Sequence, residues 1–382
     1  MQRVYLDHAA TTAQRREVSA AMKPYECTAY GNSSSVHGPG RAARATLEEA
    51  RERLAGILRA ERRQVVFTAG GTSANNLAVL GRWRAVNRTG PSRLLTCSAV
   101  EHKAVLATMM TAAQEGAEWL RFPVDSRGVV DLESVREAVA RRPALVSVMW
   151  ANNEVGTVQP VKEIVSMCRE EGVVFHSDGV QALGRIPVDV ESIPCDLLSL
   201  SSHKIGGPHG VGALYIRDGV DIDPILHGGG QERGLWPGTP NVGGALGFAV
   251  AAELAEAERE REFDRQQAMR NRLESALRER IPGLVVHGSG ARRLPHILSV
   301  TVPAVERESL LISLDADGIA VSSGAACQSG QTEPSHVPTA MGASADYPAA
   351  VIRLSFGSQT TRDQVEYVAE RLPVLVARLR TD

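Results

Sequence analysis

The chain has 382 residues, 43% hydrophobic and 23% charged, with a formal net charge of -2. That length accommodates two domains or one large domain with a satellite, and the slight charge gives no reason to expect a nucleic-acid or membrane partner. No signal-peptide core, membrane-length apolar run or Cys-x-x-Cys pair occurs, so a reduced, soluble, cytoplasmic protein without a metal is expected.

From about residue 40 to 260, short apolar runs alternate with longer amphipathic ones, the pattern of an α/β sheet flanked by helices. Residues 41–60 have a helical period, with Ala42, Ala45, Leu47, Leu54 and Leu58 among the apolar positions. Residues 64–68 read as a strand running directly into Ala69, Gly70, Gly71, Thr72 and an alanine- and leucine-rich helix. Further strands are expected at 93–97, 144–150, 173–176, 196–200 and 211–216, and a long charged helix at 251–280 leads out of this unit. Beyond it, apolar runs at 283–287, 297–302, 319–322 and 351–356 alternate with helices near 306–317 and 361–379, a smaller α+β unit.

Ligands in open α/β sheets bind beyond the carboxyl ends of the strands, so the residues there carry the chemistry. The most informative stretch is 201–210 (SSHKIGGPHG), between two apolar runs. Lys204 is one of only four lysines, and a partly desolvated lysine can form a Schiff base, which the abundant arginines cannot. Alone, the stretch is equally compatible with an exposed lysine in a glycine turn. Gly71 and Thr72 open a helix after a strand and could bind one phosphate, although a plain helix cap has the same residues. Asp178 and Gln181 follow another strand. A carboxylate there could hold a protonated ring nitrogen, or simply cap a helix. His102, at a third strand end, could stack on a planar cofactor or move protons, or be structural. One amine, one carboxylate, one phosphate cradle and one histidine, all at strand ends, match the needs of pyridoxal 5′-phosphate.

Taken together, these motifs resemble the class V aminotransferase family of fold-type I pyridoxal-phosphate enzymes, and within it the cysteine desulfurases of the NifS/IscS type. The resemblance runs nearly end to end. It includes 5–12 (YLDHAATT), 31–37 (GNSSSVH), 67–77 (FTAGGTSANNL), 101–102 (EH) and 151–156 (ANNEVG). It continues through 176–181 (HSDGVQ), 201–210, 228–241, 322–334 (SSGAACQSGQTEP) and 353–357 (RLSFG). It implies a large cofactor-binding domain over 14–258 with a mainly parallel sheet, and a small domain from 1–13 and 259–382. By the same resemblance, Lys204 would carry the cofactor, His102 would stack on its ring, Asp178 would meet the pyridine nitrogen and Gln181 the phenolic oxygen. Gly71, Thr72, Ser201 and His203 would hold the phosphate, with Thr239 reaching across from a second subunit, which implies a homodimer.

A desulfurase also needs a sulfur-accepting thiol. Cys327 lies among small and polar residues, unlike Cys97 and Cys168 in their apolar runs, and it coincides with the family's nucleophile. Arg353 and Asn153 would contact the substrate carboxylate. The residues around Arg353 do not decide whether it faces a ligand or solvent. The implied reaction converts L-cysteine to L-alanine, leaving sulfur as a persulfide on Cys327 for an acceptor protein. Acceptors in iron–sulfur assembly, DNA phosphorothioation and tRNA thiolation all fit. Trp236 and Pro237 stand where the family commonly has arginine and serine, which bears on contacts of the dimer and the cofactor phosphate. Rival readings are a selenocysteine lyase, a class V aminotransferase, or an inactive sulfur-relay scaffold.

Overall fold

The computed structural model describes residues 3–87, 92–323, 335–342 and 349–380. In chain order its first half comprises β1 (Val4–Tyr5), α1 (Arg16–Cys27), α2 (Gly38–Leu58), β2 (Val65–Thr68), α3 (Gly71–Asn87), β3 (Leu94–Ser98) and α4 (Lys103–Gln114). There follow β4 (Glu118–Phe122), α5 (Leu132–Ala140), β5 (Leu145–Ser147), α6 (Val161–Glu170), β6 (Phe175–Asp178), β7 (Leu197–Ser201) and β8 (Gly212–Ile216). The long α7 (Val242–Arg280) leads to β9 (Val285–Val286), β10 (Ile297–Pro303), α8 (Arg307–Ala316), β11 (Ile319–Ala320), α9 (His336–Ala340), β12 (Ala349–Ser355) and α10 (Arg362–Leu379).

Seven strands form one sheet in the order β2-β8-β7-β6-β5-β3-β4. Neighbours from β7 to β4 pair in parallel, whereas β8 is antiparallel to both β7 and β2. The reversal follows from chain length. A helix separates β3 from β4, β4 from β5 and β5 from β6, which permits parallel crossovers, but the short link from β7 to β8 holds only a turn. Strands β5, β6 and β7 are buried at every position, as expected of a sheet covered on both faces. Their carboxyl ends open on one edge of the sheet. A second sheet, β12-β10-β9, is antiparallel, and β1 pairs with β11 in parallel.

The helix expected at 41–60 is present as α2, and the structure adds to the sequence pattern at three places. The buried stripe of α2 is Ala43, Leu47, Ala50, Leu54 and Leu58, while Ala42 and Ala45 are exposed. Alanine fits either face, so only packing fixes the phase of this helix. The strand β4 was not expected. It is an edge strand whose sequence, EWLRF, does not alternate apolar with polar. The helix expected at 251–280 begins instead at Val242, capped by Asn241 Oδ1 accepting from Gly244 N–H at 2.9 Å. The glycines near its start serve close packing. A Cβ at Gly243 would stand 2.8 Å from Tyr25 Cβ, and one at Gly247 2.5 Å from Met22 Sδ, both on α1.

Helix α7 joins two apolar clusters. Phe248, Ala249 and Ala252 pack with the large sheet, whereas Met269, Leu273 and Leu277 pack with β10, β12 and α10. Among the described residues no helix is long and apolar enough to cross a membrane.

Candidate active site

Backbone geometry shapes the first wall of the site. After β2 the chain turns through Gly70, with φ of +145°, and α3 begins at Gly71. A Cβ on Gly71 would come within 2.7 Å of Val180 Cγ2 and 3.3 Å of Ser201 Cβ, so only glycine lets the helix start so close to β6 and β7. The first-turn N–H groups of a helix lack intrahelical acceptors, and Thr72 adds a hydroxyl beside them.

At the end of β7, Ser201 leads into a 3-10 turn, His203–Ile205, closed by Gly206 with φ of +83°. The turn presents Lys204 to the sheet edge. Its Nζ donates to the carbonyls of Ala9 at 2.7 Å and Ala10 at 2.6 Å, and its own carbonyl accepts from Arg185 at 3.2 Å. On the neighbouring β6, Asp178 is buried at the last position. Its Oδ1 accepts from Val180 N–H at 3.0 Å and its Oδ2 from Asn75 Nδ2 at 2.7 Å. Gln181 Nε2 donates to the Ala9 carbonyl at 2.9 Å, tying the N-terminal segment to the same edge.

His102 caps α4, its Nδ1 accepting from Ala104 N–H at 3.1 Å, and burial holds its pKa below the usual imidazole range. Burial, with help from Lys204 and His209, lowers His203 to about 4. Beneath His102, the fully buried Glu101 accepts from Ser98 Oγ and Met149 N–H, both at 2.7 Å, and desolvation raises its pKa to about 8. Both histidines are therefore neutral near pH 7.

Arg353 comes from β12, in the other sheet. It is 1% exposed and faces inward, which answers the question its sequence neighbours left open. One terminal nitrogen donates to the Asn153 carbonyl at 2.9 Å and the other to Asp7 Oδ1 at 2.6 Å.

These residues surround a single cavity of about 410 Å³. Gly71, Thr72, His102, Asn153, Asp178, Gln181, Ser201, His203, Lys204 and Arg353 all line it. Thr239 does not. It is exposed on the segment between Gly228 and Asn241, which Glu232 anchors through two bonds from Arg51, at 2.6 and 2.7 Å, and one from Phe67 N–H at 2.8 Å. On that segment Trp236 is half-buried against the apolar cluster of α3 and β8. Cys327 lies outside the described residues. Among those residues, no group of three or more histidines, cysteines or acids is placed to hold a metal.

Asn75, Lys103 and His336 also line the cavity. Asn75 lies three positions after Thr72, hence on the same face of α3, a signal that could have found it. Lys103 follows His102 directly. His336 Nε2 lies 2.9 Å from the Glu101 carbonyl, a contact across 235 residues that no local pattern reveals.

An amine, a buried carboxylate, a helix N-terminus and an inward-facing guanidinium around one cavity define an enzyme site for an anionic, imine-forming cofactor and a carboxylate-bearing substrate. The chain belongs to the family described as aminotransferase class-V, whose model matches residues 4–368. It is 41% identical to the cysteine desulfurase IscS of Dictyoglomus turgidum, over 99% of this chain and 95% of that protein. A solved NifS-like protein superposes with a TM-score of 0.91 at 36% identity, covering 99% of this chain and all of the other. SspA, solved in complex with cysteine, gives 0.80 at 31% identity over 93% and 99% of the two chains. Members of this family are pyridoxal-phosphate enzymes, and the residues present fit that group: the Gly71 cradle excludes any side chain, and Lys204 and Asp178 share the cavity it adjoins.

Proposed function

We propose that this chain is a pyridoxal-phosphate-dependent cysteine desulfurase that acts as a homodimer and passes sulfur to an acceptor protein. The observation that carries the reading is the convergence of Lys204, Asp178 and Arg353 on one cavity. We also assign the cofactor body to 14–258 and the second domain to 1–13 with 259–382, a division that the two apolar clusters along α7 support. Cys27, Cys97, Cys168 and Cys195 are free thiols, which fits a cytoplasmic setting.

When bound, the cofactor supplies an imine-forming aldehyde and an electron-withdrawing ring that stabilises negative charge at the α-carbon of an amino acid. Gly71, Thr72, Ser201 and His203 would hold its phosphate, with Thr239 from the second copy. Asp178 would accept from the ring nitrogen, Gln181 would meet the phenolic oxygen, and neutral His102 would stack on the ring. Arg353 and Asn153 bind the substrate carboxylate and so orient the thiol. Lys204, the anchoring amine, also moves the α-proton. The Cys327 thiolate forms the new S–S bond as the substrate C–S bond breaks. The electron pair stays on carbon, which takes up a proton and leaves as alanine.

The test measures sulfide and alanine released from L-cysteine with a reducing thiol, comparing wild type with Cys327→Ser. The wild type should release the two in equal amounts, and the variant should keep its cofactor absorbance and lose sulfide release. A variant as active as the wild type would show the Cys327 step to be wrong. Faster turnover of selenocysteine than of cysteine would favour a lyase instead.

A further inference from the structure

Of the four histidines that line the cavity, His102, His203, His209 and His336, two have a backbone partner that places the proton of the neutral ring on Nε2, His102 and His336. His102 Nδ1 accepts the Ala104 N–H that it caps, so the proton of the neutral ring is on Nε2. A second proton could enter His102 only by breaking that cap. His336 Nε2 lies 2.9 Å from the backbone carbonyl of Glu101. A carbonyl can only accept, so Nε2 carries the proton and Nδ1 keeps a lone pair. The ring is held in place. Ser335 Oγ caps Val337 N–H at 3.1 Å, and Val337 and Met341 pack on Val100 and Val155, beside the turn that carries Glu101 and His102.

Three of the charged groups near this ring hold partners of their own. Asp178 accepts from Asn75 and Val180, Lys204 donates to two carbonyls, and Arg353 donates to Asp7 and the Asn153 carbonyl. Glu154 Oε2 is buried without a hydrogen-bond partner, and Lys103, His203 and His209 also line the cavity.

We propose that His336 is the proton acceptor for an incoming amino acid, taking one proton from its α-ammonium group at Nδ1. The inference rests on the desulfurase reading only in taking an amino acid as substrate. In the step, an ammonium N–H bond breaks and its electron pair stays on nitrogen, which becomes a nucleophilic amine. The proton forms the new Nδ1–H bond, and the imidazolium keeps its Nε2–H on the Glu101 carbonyl. Departure of the product amine returns the proton.

The discriminating variant is His336→Asn, which retains an N–H for the Glu101 carbonyl but lacks the base. Holoenzyme is mixed with L-cysteine or L-alanine, and the rate of the cofactor absorbance change is followed. At pH 7 the variant should be about 100-fold slower than wild type. At about pH 10, where the amino acid arrives largely as the amine, the two rates should converge. Equal rates at pH 7 would overturn the proposal, and so would the same deficit at both pH values, which marks a purely structural role. Independently of turnover, ¹⁵N spectra of the purified protein should show the Nε2–H tautomer for His336, and an Nδ1–H tautomer would also overturn it. A wild type whose absorbance responds to no amino acid would sink the desulfurase reading and this proposal together, a result distinct from any failure confined to the variant.

Discussion

The two walls of the cavity are built on different principles. On the sheet wall, Asp178, Ser201, His203 and Lys204 stand at the ends of adjacent strands, and Thr72 opens the helix that follows another. Each is placed by the strand or turn that carries it. On the opposite wall, Arg353 and His336 arrive from the last fifth of the chain, and their partners are Asp7, the Asn153 carbonyl and the Glu101 carbonyl. Local backbone geometry builds the wall assigned above to the cofactor, whereas contacts across hundreds of residues build the wall assigned to the substrate. It follows that damage to the first wall removes the cofactor, while damage to the second leaves the cofactor in place and spoils recognition.

The largest expected effect is on the sheet wall. Lys204→Ala should reduce desulfuration by about 10⁴-fold and abolish the absorbance of lysine-bound cofactor. Retention of both would dissolve the distinction between the walls. Arg353→Ala should lower kcat/KM for L-cysteine by about 100-fold without changing the cofactor spectrum. Arg353→Lys should not restore it, because an ammonium cannot reproduce the two-pronged geometry. A spectrum altered as much as in Lys204→Ala would mean that Arg353 supports the cofactor instead.

Stability should follow the buried anchor of the segment bearing Thr239. Glu232→Gln breaks the ion pair with Arg51, whose side chains are 4% and 9% exposed, and should cost about 3 kcal/mol in urea denaturation. A loss below about 0.5 kcal/mol would show that the pair merely decorates the surface.

The smallest effect is that of pH. Burial lowers His8 and His203 to about 4 and His176 to about 3. Between pH 6.5 and 4 the unfolded chain therefore binds protons that the folded chain does not, and stability falls with acidification. Glu101, raised to about 8, acts in the opposite sense, because above pH 4.5 the folded chain keeps a proton that the unfolded chain has lost. With three imidazoles against one carboxyl, the thermal midpoint should drop between pH 7 and pH 5. A midpoint that rises over that range would contradict the burial of these histidines.

The same contrast explains what the sequence made legible. Strand–turn motifs such as Ser201 to Gly210 announce the cofactor wall, because the glycines and hydroxyls that shape it are contiguous. Asp178 and Lys204 can be placed at strand ends from the sequence alone, since an apolar run followed by polar residues marks the edge of a buried sheet. The facing of Arg353 cannot, because alternation along β12 is hidden by burial on both sides. His336 escapes a sequence reading for a related reason, as it matters through one tertiary partner, whereas the spacing of Asn75 from Thr72 on α3 does mark it. Glycine and alanine blur the helices in the same way. The start of α7 and the phase of α2 depend on what packs against Gly243, Gly247 and Ala43 rather than on any propensity of those residues.

Everything proposed for the site depends on Lys204 being the amine that binds the cofactor. Borohydride reduction of the holoenzyme, proteolysis and mass spectrometry would test it most directly, since reduction makes the lysine–pyridoxyl bond permanent. The pyridoxyl mass should be found on the peptide containing Lys204 and on no other. A label on Lys103, the second lysine of the cavity, or no label on any lysine peptide, would contradict it.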